Sequence, residues 1–124
     1  MKILLAEDEP DIQFVTRLAL EDAGHEVVLA DDGMAALEHA QAELFDVILL
    51  DVMMPRLDGL AVCHKLKTDP QLCHMPVIFL TARSQQYEVE AGLQMGAVGY
   101  IVKPFDMFGL SREINAILAQ HGSS

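Results

Sequence analysis

Phe45-Asp46-Val47-Ile48-Leu49-Leu50-Asp51-Val52-Met53-Met54-Pro55 decides the fold. From Phe45 to Leu50 the run is apolar at every position but Asp46, too short for a helix and lacking the polar-apolar alternation of a half-solvated strand. A strand covered on both faces, as in a parallel sheet, reads this way. It stops at a carboxylate, and a proline-containing loop follows. Working outward, Lys2–Ala6 and Val77–Leu80 are the same kind of run, and Glu26–Ala30 and Val98–Val102 are weaker versions of it.

The stretches between have helical periodicity. After Pro10, apolar residues at Ile12, Val15, Ala19, Leu20 and Ala23 make one stripe that stops at Gly24. Gly33 to Leu44, Gly59 to Lys67 and Ser84 to Met95 read as three more helices. Asp106 is the expected N-cap of a fifth, with Leu110, Ile114, Ile117 and Leu118 on one face. Five strands and five helices in strict alternation predict an α/β fold: a parallel, doubly wound sheet with right-handed crossovers. At 124 residues the chain is expected to be one domain (1–124), with its core over 2–118 and a short polar tail over 119–124.

Composition narrows the function. Asp and Glu number 19 against 8 Lys and Arg, a net charge of −11. A phosphate backbone would be repelled, so direct nucleic-acid binding is not expected, whereas divalent cations and basic partner surfaces suit such a chain. Cys63 and Cys73 have no CxxC spacing and the five histidines are scattered, which argues against zinc and a disulfide framework. Cys63 falls in an apolar helical stretch and reads as a core thiol. Met1 leads straight into a strand-like run with no signal peptide, and no apolar run is long enough for a bilayer. A cytoplasmic protein without membrane insertion is expected.

Ligands of doubly wound sheets sit at the carboxyl ends of the strands. Just past those ends come Glu7-Asp8-Glu9, Asp51, Thr81 and Lys103, while Asp31-Asp32-Gly33 looks like turn and cap chemistry. Alone, each has a plain structural reading: Asp51 as a turn cap, Glu7 and Asp8 as complements to a helix dipole, Lys103 as a solvated strand end. Together they describe something else. Crowded carboxylates repel in a partly buried site, and a hard divalent cation relieves that cost. Oxygen-only donors favour Mg²⁺, with Mn²⁺ as a substitute, over zinc. Asp8 and Asp51 are then expected as direct ligands, the Met53 backbone carbonyl as a third, and Glu7 as a ligand through water. No organic cofactor is expected. Asp51 is the expected nucleophile toward phosphorus, with Lys103 and the Thr81 hydroxyl stabilising the transferred group.

Four segments in this order and spacing resemble the receiver domain of two-component response regulators. They are Leu5-Ala6-Glu7-Asp8-Glu9-Pro10; Val47 to Pro55 with Leu57-Asp58-Gly59; Pro76-Val77-Ile78-Phe79-Leu80-Thr81-Ala82-Arg83; and Gly96 to Phe105. The resemblance runs from Lys2 to about Leu118. It implies a flavodoxin-like sheet of order 2-1-3-4-5 and a cis bond before Pro104. It implies Mg²⁺-dependent transfer to Asp51 from the phosphohistidine of a sensor histidine kinase or histidine phosphotransfer protein. It also implies a switch in which Thr81 and Tyr100 move together and reshape the face of the fourth helix, fifth strand and fifth helix for a downstream effector protein or domain. Met53 and Arg83 are implied to tune the lifetime of the phosphoryl group. Such a chain is a phosphoacceptor rather than an enzyme with a diffusible substrate, and a monomer or a phosphorylation-dependent homodimer. The fourth helix departs from the pattern: Ser84 to Glu90 has no Lys or Arg to form the family's charged dimer contacts.

Two other classes fit these residues less well. A phosphohydrolase of the haloacid-dehalogenase type also uses Asp, Thr, Lys and Mg²⁺, but carries its nucleophile as D-x-D after the first strand. Asp51 is followed by Val52-Met53 and follows the third. A degenerate receiver that only binds partners is disfavoured by the intact set Glu7, Asp8, Asp51, Thr81 and Lys103.

Overall fold

Strand β1 (Lys2–Ala6) buries Ile3 and Leu5 on one face of the sheet and Leu4 and Ala6 on the other, and all four are fully buried. The same split recurs in β3 (Val47–Asp51) and β4 (Val77–Thr81), every residue of which is buried. With roughly 1.5–3 kcal/mol for each buried Leu, Ile or Phe, these strands are held by burial on two sides rather than by local propensity. The computed structural model describes residues 1–54, 56–82 and 86–122. Within it, β2 (Glu26–Ala30) and β5 (Gly99–Val102) complete a five-stranded parallel sheet of order β2-β1-β3-β4-β5. The expected flavodoxin-like order and strand direction are therefore observed.

Helices α1 (Pro10–Asp22) and α5 (Leu110–Gly122) cover the face carrying Ile3, Leu5, Val47, Leu49, Ile78, Leu80 and Ile101, through Leu20, Leu110 and Ile114. Helices α2 (Gly33–Ala42) and α3 (Gly59–Thr68) cover the other face, where Ala36, Leu37, Val62, Cys63 and Leu66 meet Leu4, Ile48, Leu50 and Phe79. Helix α4 (Gln86–Met95) packs beside α3, with Gly92 against the Phe79 ring. No helix of the described residues is long and apolar enough to cross a membrane.

Several boundaries differ from the sequence expectation for identifiable reasons. β3 starts at Val47 rather than Phe45 because Asp46 is engaged by Lys2: its backbone N–H donates to the Lys2 carbonyl at 2.8 Å, and its carboxylate accepts the Lys2 N–H at 2.7 Å. β5 starts at Gly99 rather than Val98. Asp106 does not cap α5. It closes a turn, accepting the Phe108 N–H on its side chain (3.0 Å) and the Gly109 N–H on its carbonyl (3.1 Å), and the helix opens at Leu110. The tail expected over 119–124 is helical as far as Gly122. The expected helix start at Ser84, with Gln85, lies outside the described residues. By contrast α1 ends as read: Gly24 has φ 93°, and His25 N–H reaches back to the Leu20 carbonyl at 3.1 Å, a left-handed helix stop.

Candidate functional site

Side-chain alternation brings the polar residues together. Glu7 continues the parity of Ile3 and Leu5, Asp51 that of Val47 and Leu49, and Lys103 that of Ile101, so all three fall toward the α1/α5 face at the carboxyl edge of the sheet. Thr81 and Tyr100 have the opposite parity. Phe79 pairs with Tyr100 and Thr81 with Val102, so Thr81 and Tyr100 lie diagonally on the α4 side. Backbone bonds fix the edge: Glu7 N–H to the Ala30 carbonyl (3.1 Å), Val52 N–H to Leu80 (3.1 Å) and Lys103 N–H to Thr81 (2.7 Å). The Lys103–Pro104 peptide is cis, as the resemblance implied.

Oxygens of Glu7, Asp8 and Asp51 all lie within 4.8 Å of one another. Glu7 is wholly buried and Asp51 nearly so, whereas Asp8 is exposed. The Lys103 ammonium stands 3.2 Å from Glu7 Oε1 and 3.3 Å from Asp51 Oδ1. Glu7 Oε2 also accepts the Glu9 N–H at 3.1 Å, and Asp51 Oδ1 the Met53 N–H at 3.3 Å. Glu9 sits at the N-cap of α1 without a side-chain cap bond, and Asp11 supplies the acid of its first turn. The helix dipole is thus served by residues other than Asp8.

One lysine does not neutralise this cluster. Burial, reinforced by the neighbouring Asp51 carboxyl, pushes Glu7 up to about 7. Burial also raises Asp51, against the pull of Glu7, Lys103 and the Met53 amide. Burial alone would lower Lys103, but Asp51 and Glu7 outweigh it and its ammonium is held more firmly than usual. Three hard oxygen donors with surplus negative charge, and no nitrogen or sulfur among them, fit a Mg²⁺-type ion. Asp8, exposed, leaves the cluster open to solvent on one side.

Beside the acids opens a cavity of about 730 Å³. Its lining includes Asp8, Asp51, Met53 and Lys103 together with the apolar Ile12, Val15 and Phe105. That is far more room than a phosphoryl group needs. Thr81 is buried, and its hydroxyl donates to the Ala82 carbonyl at 3.0 Å. Tyr100 is 39% exposed. Arg83, expected to influence phosphoryl lifetime, lies outside the described residues. Met53 is exposed at the cavity rim. Cys63 is a buried thiol in the core, as expected.

Two contacts were not foreseen. Gln13, on the first turns of α1, donates its side-chain amide to the Glu7 carbonyl and to Asp31 Oδ1, both at 2.9 Å. Arg56, with φ 68°, pairs with Asp32 at 3.1 Å, while the other oxygen of Asp32 caps α2 at Ala35 N–H. Only the cap was signalled, by the Asp-Gly dipeptide; the pairs Gln13–Asp31 and Arg56–Asp32, 18 and 24 residues apart, leave no local pattern.

Residues 3–115 match the family described as "Response regulator receiver domain". The chain is 39% identical over 117 residues to the alkaline phosphatase synthesis transcriptional regulatory protein PhoP of Bacillus subtilis, covering 94% of this chain and 48% of that protein. It spans about half the length of the curated relatives it matches. Among solved structures, chemotaxis response regulator CheY4 of Vibrio cholerae superposes with a TM-score of 0.87 at 34% identity, covering 94% of this chain and 98% of that one. The receiver domain of sensor histidine kinase PA1611 from Pseudomonas aeruginosa PAO1, with a magnesium ion coordinated in its active-site cleft, superposes with a TM-score of 0.86 at 34% identity, covering 95% and 97%.

Proposed function

The chain belongs to the response regulator receiver family, and on that premise we propose that residues 1–124 form a single phosphoacceptor unit in which Asp51 is the acceptor. The observation that carries this reading is the Lys103 ammonium standing between Glu7 and Asp51 at the ends of three different strands, with Asp8 beside them. Such an arrangement holds a nucleophilic carboxylate beside an ammonium and among acids that a divalent cation would bridge, and the two cations together would supply the positive charge that in-line attack on a phosphoryl group requires.

The donor is the phosphohistidine of a sensor histidine kinase or histidine phosphotransfer protein. An Asp51 carboxylate oxygen forms a bond to phosphorus as the phosphorus–nitrogen bond of the donor breaks. The imidazole leaves with that electron pair and takes up a proton from solvent. The cavity, with apolar residues in its lining, has room for the donor side chain. Asp8, Asp51 and the Met53 carbonyl would hold Mg²⁺, or Mn²⁺ in its place, with Glu7 acting through water, and the ion would neutralise charge on the phosphoryl oxygens. Lys103 adds its ammonium to the same oxygens, and the Thr81 hydroxyl turns toward them. The product is an acyl phosphate. Water attacks its phosphorus, the Asp51 oxygen leaves, and the signal ends. The protein assists both reactions on itself without turning over a diffusible substrate.

Movement of Thr81 makes room for Tyr100 on the same side of the sheet, and the α4-β5-α5 face then changes for a downstream effector protein or domain. The place of action is the cytoplasm, without direct nucleic-acid contact by this unit, as a monomer or a phosphorylation-dependent homodimer. Incubation with acetyl phosphate and Mg²⁺ followed by intact-mass measurement tests the reading. Wild type should gain one labile phosphoryl group and Asp51→Asn none. Absence of any gain on wild type overturns the proposal, and steady turnover of p-nitrophenyl phosphate would point to a phosphohydrolase instead.

A further inference from the structure

Glu7 has every polar atom engaged. Its N–H donates to Ala30, its two carboxylate oxygens accept from Lys103 and from Glu9 N–H, and its carbonyl accepts from the Gln13 side chain at 2.9 Å. Asp8 is the opposite case. It is exposed, and among the described residues no hydrogen bond holds its carboxylate. The Cα–Cβ direction of Asp8 is therefore set by the peptide that joins it to Glu7, and among the described residues the one side chain that grips that peptide is Gln13.

Gln13 also reaches across to the end of β2. Its NH₂ group has two hydrogens, and the second acceptor is Asp31 Oδ1, again at 2.9 Å. Ala6 and Ala30 are register partners, so Glu7 and Asp31 leave the sheet side by side, and the amide is braced between them. The half-buried stem of Gln13 sits four residues into a helix anchored by its own N–H to the Glu9 carbonyl at 2.9 Å.

We propose that Gln13 is a positioning residue for the divalent-cation site: bridging the Glu7 carbonyl and the Asp31 carboxylate, it fixes the Glu7–Asp8 peptide and so aims the Asp8 carboxylate at Asp51. This rests on the cation reading given above. Gln13 is neutral, so removing its amide leaves the charge around the site unchanged, and a change in cation affinity then reports geometry. Partners that orient metal ligands typically contribute on the order of tenfold in affinity.

The test is a calorimetric Mg²⁺ titration of the whole chain as wild type, Gln13→Met, Gln13→Ala and Asp31→Asn, with melting in EDTA recorded alongside. Gln13→Met keeps the length and packing of the stem, so at least one donor-free variant should fold. Either variant that keeps the wild-type circular dichroism should bind Mg²⁺ about tenfold more weakly. Asp31→Asn retains an acceptor for the amide and should bind like wild type. Phosphorylation of the Gln13 variants by acetyl phosphate should recover to the wild-type rate when Mg²⁺ is raised about tenfold, which a merely structural defect would not allow. Equal affinity of wild type and Gln13→Met overturns the inference. So does an Asp31→Asn protein weakened as much as Gln13→Met, since an intact amide bridge would then not protect the site. If wild type itself takes up no Mg²⁺, the cation reading fails first, and the two failures are told apart.

Discussion

Lys103 Nζ lies 3.3 Å from Asp51 Oδ1 with both side chains largely buried, the lysine at 14% exposure and the aspartate at 4%. The pair joins the ends of β5 and β3, and β4 runs between them. Lys103 therefore holds this edge of the fold together. Lys103→Met leaves Glu7 and Asp51 facing each other without a cation. Breaking a buried pair from one side costs roughly 3 kcal/mol, and here a proton can offset part of that. Urea denaturation in EDTA should show the larger loss at pH 8 and the smaller one at pH 5, where Glu7 is protonated. A loss that does not depend on pH would mean the lysine acts through packing alone.

Glu7 itself gives the cation-free protein an unusual pH response. Its folded value, about 7, lies above its ordinary 4.5. A carboxyl raised on folding contributes stability that is complete below its ordinary value and is lost as pH climbs through the folded one. The raised Asp51 works in the same direction. In EDTA the melting temperature of wild type should therefore fall between pH 5 and pH 8, by an amount equivalent to at most about 3 kcal/mol from Glu7. Other groups titrate over this range too, so the informative quantity is the difference from Glu7→Gln, in which the fall should be visibly shallower. Millimolar Mg²⁺ should flatten the wild-type curve, because the cation takes over the proton's role at the high-pH end.

Gly92 allows α4 to sit directly on the sheet. A Cβ at this position would lie 2.0 Å from Cε2 of the Phe79 ring, which is wholly buried. Gly92→Ala gains helix propensity worth about 1 kcal/mol and still should be destabilised by about 1–3 kcal/mol through overpacking. Adding Phe79→Leu should recover part of that loss, a positive coupling that a double-mutant cycle reads directly. Strict additivity of the two substitutions would show that α4 simply shifts outward.

How much was legible in the sequence depended on the range of the interaction. Strands β1 and β2 have the expected ends, because runs such as Ile3-Leu4-Leu5-Ala6 declare two-sided burial in their own composition. The meeting of Glu7, Asp51 and Lys103 was also legible, since strand parity and a parallel sheet suffice to bring them to one edge. Asp106 misled because the same Asx preference serves a helix cap and a tight turn, and Gly109 three residues on lets the turn close before the helix starts. Gln13 and Arg56 were invisible for a different reason. Each acts on a partner from another strand end, and only the packing of α1 and of the β3–α3 loop against the sheet creates the contact.

The pairing of Thr81 and Tyr100 on one side of the sheet can be followed optically. The chain has no tryptophan and two tyrosines, so in Tyr87→Phe the remaining fluorescence comes from Tyr100 alone. Tyr100 is 39% exposed, and Tyr87 at 87% exposure makes its replacement mild. If phosphorylation draws the Thr81 hydroxyl away from the Ala82 carbonyl and Tyr100 moves into the released space, the ring leaves water. Acrylamide should then quench Tyr100 severalfold less after treatment with acetyl phosphate and Mg²⁺ than before. Thr81→Ala removes the hydroxyl proposed to follow the phosphoryl group, so in a Thr81→Ala, Tyr87→Phe protein that still gains the phosphoryl mass the quenching should stay unchanged. Protection of Tyr100 in that double variant would uncouple the two residues, and an unprotected Tyr100 in fully phosphorylated Tyr87→Phe would remove it from the switch.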